Sequence, residues 1–505
     1  MRFRFSFRSI TARDQHGCDC RPIGADPLDL GAWPSSTLAE AGGQRSDPPE
    51  SHGIGTRGET CDGPASACDG QSRACAIGLY WYVVAILFAT SVLGYVDRVI
   101  LSFLAEPIKA SLALADWQVG AVTGAAFALL YVFGGVFIGR LLDRGRRIAI
   151  LSLCILTWSL ATAASGIATG FIALFVARMF IGVGEAGLNP AAIGIISARF
   201  AQDRLQKPIG LFTTGLYVGG GLAMMAGAQL LARFAAGGPY HLPFFSEAEP
   251  WRLVFLLLSV PGVGLAILLW LSVKDGAQSG AAKNASGGDA LAFARANRRP
   301  LTLLALSIVA WSMNNYGLLN WYPAMLMRSH GMTPALVAST YGPAFLFAGV
   351  GGCLVAHPLH RALKRRAGDK AAYHLCFAAM SVLSLTTIVG PLMPTVTGAV
   401  VMAFINLFVS ALSVTAVFIL LVTIVPPALR GRYTGLYMAL ANLTGGAFGS
   451  VLVGLLTDRL FGAARLDLAL STMALAFGSP AALLMLLAAR PKNRMLAPRA
   501  APLPA

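Results

Sequence analysis

An all-α integral membrane fold, with twelve transmembrane helices in two pseudo-symmetric six-helix bundles, is what this sequence predicts. Three observations carry the prediction. Apolar runs of about 20 residues recur along most of the chain, and each is long enough to cross the hydrocarbon core as a helix. Hydrophobic residues make up 56% of the 505 positions and charged residues only 12%, about half the charged share of a soluble domain. The runs also fall into two groups of six around one long polar connection, the pattern of two related halves with a pathway between them. Helices are the expected element because, without water, every backbone amide must find its partner inside the segment.

Residues 1–77 come first, rich in Gly, Pro, Ser, Asp and Arg. That composition predicts a disordered cytoplasmic tail, and it lacks the apolar core and cleavage site of a signal peptide. A misassigned start is the alternative reading; it would need an unusual initiation codon, because no Met follows Met1 until Met179. Spans predicted at 78–104, 117–141, 148–168, 171–196, 209–234 and 252–273 make an N-terminal bundle over 78–273. A polar, basic cytoplasmic linker follows over 274–300, with a short surface helix expected at 290–297. Spans at 301–327, 336–359, 372–393, 397–425, 432–457 and 467–489 make a C-terminal bundle over 301–489, and 490–505 is a second cytoplasmic tail. Glycines crowd the fifth span (Gly215, Gly219, Gly220, Gly221, Gly227) and the eleventh (Gly445, Gly446, Gly449, Gly454). Small residues at helical spacing let backbones approach closely in a membrane, and these two spans hold equivalent places in the two halves.

The net charge of +16 does not imply a nucleic-acid partner, because the basic residues are spread over alternate loops rather than gathered on one face. With an internal N-terminus, the five cytoplasmic connections and adjoining helix ends carry nineteen Lys and Arg, and the opposite side carries six. The positive-inside rule then places both termini in the cytoplasm. An Ala/Gly/Arg-rich composition suits a bacterial inner membrane, and a monomer is expected. Of eight cysteines, five lie in the first 77 residues. The Cys18–Cys20 pair lacks a second pair at zinc-site spacing, so neither metal nor cofactor is expected.

Four charges lie deep within apolar spans: Asp97, Arg98, Arg178 and Glu185. A charge in hydrocarbon costs several kcal/mol unless it is paired or faces a watery cavity, so these groups mark a pathway. Arg178 and Glu185 stand seven residues apart, on one helix face and about 10.5 Å apart along the axis. They are too far apart to pair with each other, and Asp97 and Arg98 are the available partners. Two acids and two arginines leave a buried cluster neutral. Such a set can also move a proton, because a carboxyl that loses its arginine in a low-dielectric site holds a proton more firmly. A permanent salt bridge that only fixes packing is the alternative, and uniport stays open.

The loop after the second span reads Gly139-Arg140-Leu141-Leu142-Asp143-Arg144-Gly145-Arg146-Arg147. It resembles the signature of the major facilitator superfamily, although it is one residue shorter between the Asp-Arg and the basic pair. The resemblance implies a cytoplasmic gating latch at Gly139, Asp143, Arg144, Arg146 and Arg147. The corresponding second-half stretch, at 356–361, has no acid. Three further stretches resemble the Spinster-like branch, its bacterial members especially: Gly94 to Arg98, Ala177 to Ala186, and Arg430-Gly431-Arg432 leading to Gly454 and Asp458-Arg459. The resemblance covers roughly residues 80–490. It implies that Asp97, Arg98, Arg178 and Glu185 line a central cavity, and that the solute is lysolipid-like or an organic anion moved with protons.

The seventh span adds Trp311, Asn314, Asn315, Tyr316, Asn320, Trp321 and Tyr322. Amide and aromatic groups seven residues apart share a helix face, which suits an amphiphilic solute; Trp321 and Tyr322 equally suit the interfacial aromatic belt. Phe345 and Phe347 read as core or lipid contacts and His357 as a structural polar group. An enzyme would need a nucleophile–base or metal set at depth, and none is visible. A channel would need polar lining across many helices, whereas polarity here is concentrated in spans one, four and seven. A transporter-like sensor that binds without flux is the remaining rival.

Overall fold

The computed structural model describes residues 65–142, 144–200, 204–238, 240–242, 245–275, 287–426 and 429–490. The first half contributes helices α1 (Ala65–Phe103), α2 (Asp116–Leu142), α3 (Arg147–Gly166), α4 (Phe171–Ser197), α5 (Gln206–Ala236) and α6 (Pro250–Ser272). The second contributes α7 (Arg298–His330), α8 (Pro334–Ala367), α9 (Ala371–Val389), α10 (Val396–Ile424), α11 (Arg430–Phe461) and α12 (Leu466–Ala488). Ten helical stretches among the described residues are long and apolar enough to cross a membrane, and one of them, Pro334–Leu392, contains both α8 and α9. The twelfth helix, α7, has 33 residues and ample length, but its asparagines hold its hydropathy below that of the others. The described residues thus hold twelve long helices, in keeping with the expected all-α membrane fold.

Several boundaries differ from expectation. The tail predicted over 1–77 lies outside the described residues up to position 64. From Ala65 the chain is helical, because a helix started by an apolar span propagates cheaply into an adjoining Ala-containing segment. The chain divides after Tyr80 into two compact units, and the described part of the first is only the leading turns of α1. The second unit, from Trp81, holds the bundle. A short helix occupies Gly287–Ala296, near the expected position. Helix α8 runs on to Ala367, two turns past its predicted end. An unpredicted hairpin, Tyr240–Leu242 paired antiparallel with Phe245–Ala248, joins α5 to α6. Linker residues 276–286 and the tail from 491 lie outside the described residues.

Local chemistry sets the helix ends. Thr333 accepts the Leu336 N–H at 3.3 Å and Pro334 opens the first turn of α8. Thr395 caps α10 in the same way, and Asp275 accepts the Ile148 N–H at the start of α3. In α4 the helix is interrupted at Gly187, where Pro190 has no N–H to give to the Ala186 carbonyl. Glu185 thus sits at the last turn before a break.

The two halves repeat the same close contacts. A Cβ on Gly219 of α5 would run into the Val92 carbonyl of α1, and one on Gly449 of α11 into the Met313 carbonyl of α7. Between halves, Gly124 of α2 lies against the Gly446 carbonyl of α11, and Gly221 of α5 against Gly342 of α8. Both α2 and α11 carry π-helical turns where they meet, Ala121–Ala125 and Asn442–Gly449. Trp158, Trp251 and Trp321 are fully buried, while Leu271 and Phe347 project outward as lipid contacts do.

Candidate functional site

Tyr95, Arg98 and Ser102 follow one another at three- and four-residue spacing, so α1 presents them on one face. That face lines a cavity of about 480 Å³ walled by both halves. Arg98 Nη2 lies 2.6 Å from Glu185 Oε2 on α4. Its guanidinium carbon sits 4.0 Å from the Phe127 ring centre and 5.0 Å from that of Tyr95. Aromatic faces favour a cation held over them, so this arginine is positioned by rings as well as by its acid.

Asp97 and Arg178 are 1% and 0% exposed and lie behind the wall. Arg178 Nη1 donates to the Asp97 carbonyl oxygen at 3.1 Å, and its charge is within electrostatic reach of both Asp97 and Glu185. The expectation that all four charges line the cavity is thus corrected: Arg98 and Glu185 do, while Asp97 and Arg178 form a second layer. Consecutive helix residues point about 100° apart; with Arg98 and Val99 turned to the cavity, Asp97 is turned away from it. Among the described residues, Asp97 Oδ1, Glu185 Oε1 and the Nε and Nη2 of Arg178 have no hydrogen-bond partner. The cluster is neutral yet keeps open positions, so its partners can exchange without recruiting a new donor.

On α7, Trp311, Asn315, Tyr316 and Asn320 line the cavity. Asn315 Oδ1 accepts from Ser410 Oγ at 2.6 Å, and the Tyr316 hydroxyl donates to Asn442 at 2.8 Å. Asn320 Nδ2 donates to Ser450 Oγ at 2.6 Å, and its Oδ1 accepts from Ser102 of the first half at 3.3 Å. The other three expected contacts are corrected. Asn314 is buried against α12 beside Gly478. Trp321 donates to the Ser450 carbonyl, and Tyr322 donates to the Ala399 carbonyl and stacks on Tyr341. The last two lie past the cavity, so face-sharing with Asn315 did not bring Tyr322 into it. Sequence reasoning missed Tyr131, Asn442 and Ser410; none stands out within its own span. It also placed Phe345 and His357 in packing roles, and both line the cavity.

Asn320→Leu should destabilise the protein by about 1–3 kcal/mol, because it leaves the buried Ser450 hydroxyl without its partner. Adding Ser450→Ala should recover most of that. Thermal unfolding of both variants checks this, and an unchanged single variant would refute it.

Beyond Ser102 and Asn320, at one end of the cavity lining, ion pairs tie the two halves together. Arg328 of α7 bonds both carboxylate oxygens of Asp116 at 2.8 Å and Glu106 Oε1 at 2.8 Å. Lys109 Nζ lies 2.5 Å from Asp116, and Asp458 of α11 accepts the N–H groups of Asp116 and Trp117. Toward the other end the lining reaches His357 of α8. Of the expected gating motif, Asp143 lies outside the described residues. A Cβ added at Gly139 would meet open space, Gly145 takes a left-handed turn (φ 91°), and Arg144 and Arg146 are exposed. Arg147 donates to the Gly194 carbonyl of α4 at 2.8 Å, within the first half.

A sequence profile described as Major Facilitator Superfamily matches residues 86–450. The chain belongs to that superfamily. This facilitator is accordingly a transporter, not an enzyme. It is 29% identical over 287 residues to an MFS-type efflux pump of Mycolicibacterium smegmatis, a match covering 57% of this chain and 63% of the pump. It is 26% identical over 424 residues to protein spinster homolog 1 of Rattus norvegicus, covering 78% and 76%. The fold resembles that of a bacterial homolog of the human lysosomal transporter Spinster, solved inward-facing and unoccupied. That likeness has a TM-score of 0.71 at 24% identity and covers 83% of this chain and 99% of the other.

Proposed function

We propose that this facilitator moves a small organic, amphiphilic solute by alternating access, coupled to protons and with both termini in the cytoplasm of a bacterial inner membrane. The Arg98–Glu185 pair on the wall of a cavity lined mostly by aromatic, aliphatic and uncharged polar groups carries the reading. Tyr95, Tyr131, Tyr316 and Phe345 offer surfaces to an apolar body, and Asn315 and Asn320 offer hydrogen bonds to a polar head. A shift of α1 against α4 within the first half, or an anionic solute head that takes up Arg98, separates Arg98 from Glu185; a carboxyl freed from its arginine in a low-dielectric site takes up a proton, and Asp97 and Arg178 stand behind as replacement partners. Similarity to proteins named spinster and to an efflux pump supports transport of a solute across the membrane. Symport of an organic anion is the second reading, favoured by Arg98 on the wall.

The test is a pH-sensitive dye inside proteoliposomes, with lysolipids and organic acids added in turn. Solute-dependent proton movement is expected in the wild type and should vanish in Asp97→Asn and Glu185→Gln. Solute flux without a proton signal, undiminished in both variants, would leave a uniporter with a structural charge cluster. Binding without flux would leave a sensor.

A further inference from the structure

We propose that the last turns of α8 form a cationic ramp that draws solutes bearing a carboxylate or phosphate into the cavity. The inference rests on the cavity being a solute path and adds the charge of what travels along it.

Val350, Cys353, Leu354 and His357 line the cavity from one face of α8. The helix runs for 34 residues, to Ala367, with Pro343 and Pro358 inside it. At 1.5 Å per residue that is about 51 Å, against a hydrocarbon core of about 30 Å, so its final turns stand clear of the lipid. Arg361 lies four residues beyond His357 and Lys364 seven, spacings that return to the same face. The cavity wall therefore continues outward as a basic stripe. Arg366 lies nine residues on, about two and a half turns, and faces the opposite way.

All three cations are exposed, and among the described residues Arg361 and Lys364 have no carboxylate partner. A basic residue that serves only to orient the chain in the membrane would do so from any face, so alignment with the wall needs its own reason. An unpaired cation at a cleft mouth raises the local concentration of anions. The wall beyond does not repel them, because its single carboxylate among the described residues, Glu185, is already paired with Arg98.

Cys353, on the same face, reports the potential there without any transport. Its sulfur accepts from Thr415 at 3.3 Å, and it lines the cavity. The full-length chain in neutral detergent is treated with anionic (ethylsulfonate) or cationic (ethylammonium) methanethiosulfonate, and modification of the Cys353 peptide is followed by mass spectrometry. At low ionic strength the anionic reagent should react about tenfold faster. The preference should fall toward unity in Arg361→Gln/Lys364→Gln, and in the wild type at about 1 M salt, where charges are screened within about 3 Å. Arg366→Gln should retain it. Equal rates in the wild type, an equal loss in Arg366→Gln, or a Cys353 inert to both reagents would each overturn the ramp. Failure of lysolipids or organic acids to move in proteoliposomes would count against the transport reading and leave this result standing.

Discussion

Arg98→Met is expected to lose about 3–5 kcal/mol of stability, the cost of stripping one partner from a buried ion pair. Glu185 is only 4% exposed and would keep only Arg178, in the layer behind it, as a cation within electrostatic reach. The methionine keeps most of the apolar contact that the arginine stem makes, so the loss reports charge rather than volume. Arg98→Met/Glu185→Gln should recover most of the deficit, because both charges are then gone and the glutamine still presents polar atoms toward the cavity. Denaturant titration of the purified protein in detergent, run as a double-mutant cycle, reads the coupling. Additive losses from the two single changes would mean that the 2.6 Å pair contributes nothing as a pair.

The second large effect is expected at the clamped end. Arg328 spans the two halves with a bidentate grip on Asp116, which is fully buried, and a further bond to Glu106. Bidentate arginine–carboxylate pairs are among the stronger polar contacts and fix geometry as well as energy. Removing this one in Arg328→Met should cost the clamped arrangement about 3 kcal/mol, which is roughly a hundredfold in a two-state ratio. Spin labels placed across this end should then show a longer distance population than in the wild type. Asp116→Asn should act in the same direction but less, because Arg328 keeps Glu106. An unchanged distance distribution in Arg328→Met would show that helix packing alone, such as Gly124 against Gly446, holds this end together.

How far each of these sites could be read in advance follows from what surrounds it. Arg98 and Glu185 were legible because a charge inside an apolar span is conspicuous, and their pairing followed from the lack of any partner within α4. The layer each would occupy depends on the rotation of α1 and α4 about their axes, which hydropathy does not specify; Asp97 and Arg178 accordingly turned out to lie behind the wall. The same limit separated Asn315 from its neighbour Asn314. The clamp between the halves was not legible. Lys109, Asp116, Arg328 and Asp458 lie at helix ends, where charges are ordinary, and Arg328 meets Asp116 across 212 positions of sequence. The twelve spans were clearest of all, since lipid accepts little except continuous apolar helix, and the overrun of α8 was not legible because it begins where that constraint ends.

The polarity of α7 also bears on how the protein is made. Of the twelve helices it is the least apolar, and polar side chains at membrane depth are costly while they face lipid. Its cavity-facing Asn315, Tyr316 and Asn320 find their partners at Ser410, Asn442 and Ser450, on α10 and α11. Those helices emerge from the ribosome 95 to 130 residues later. During that interval α7 must be kept beside protein rather than released to lipid, by the finished first bundle or by an insertase. Biogenesis of the second half is therefore expected to be cooperative, with α7 integrating fully only after α11 has been synthesised.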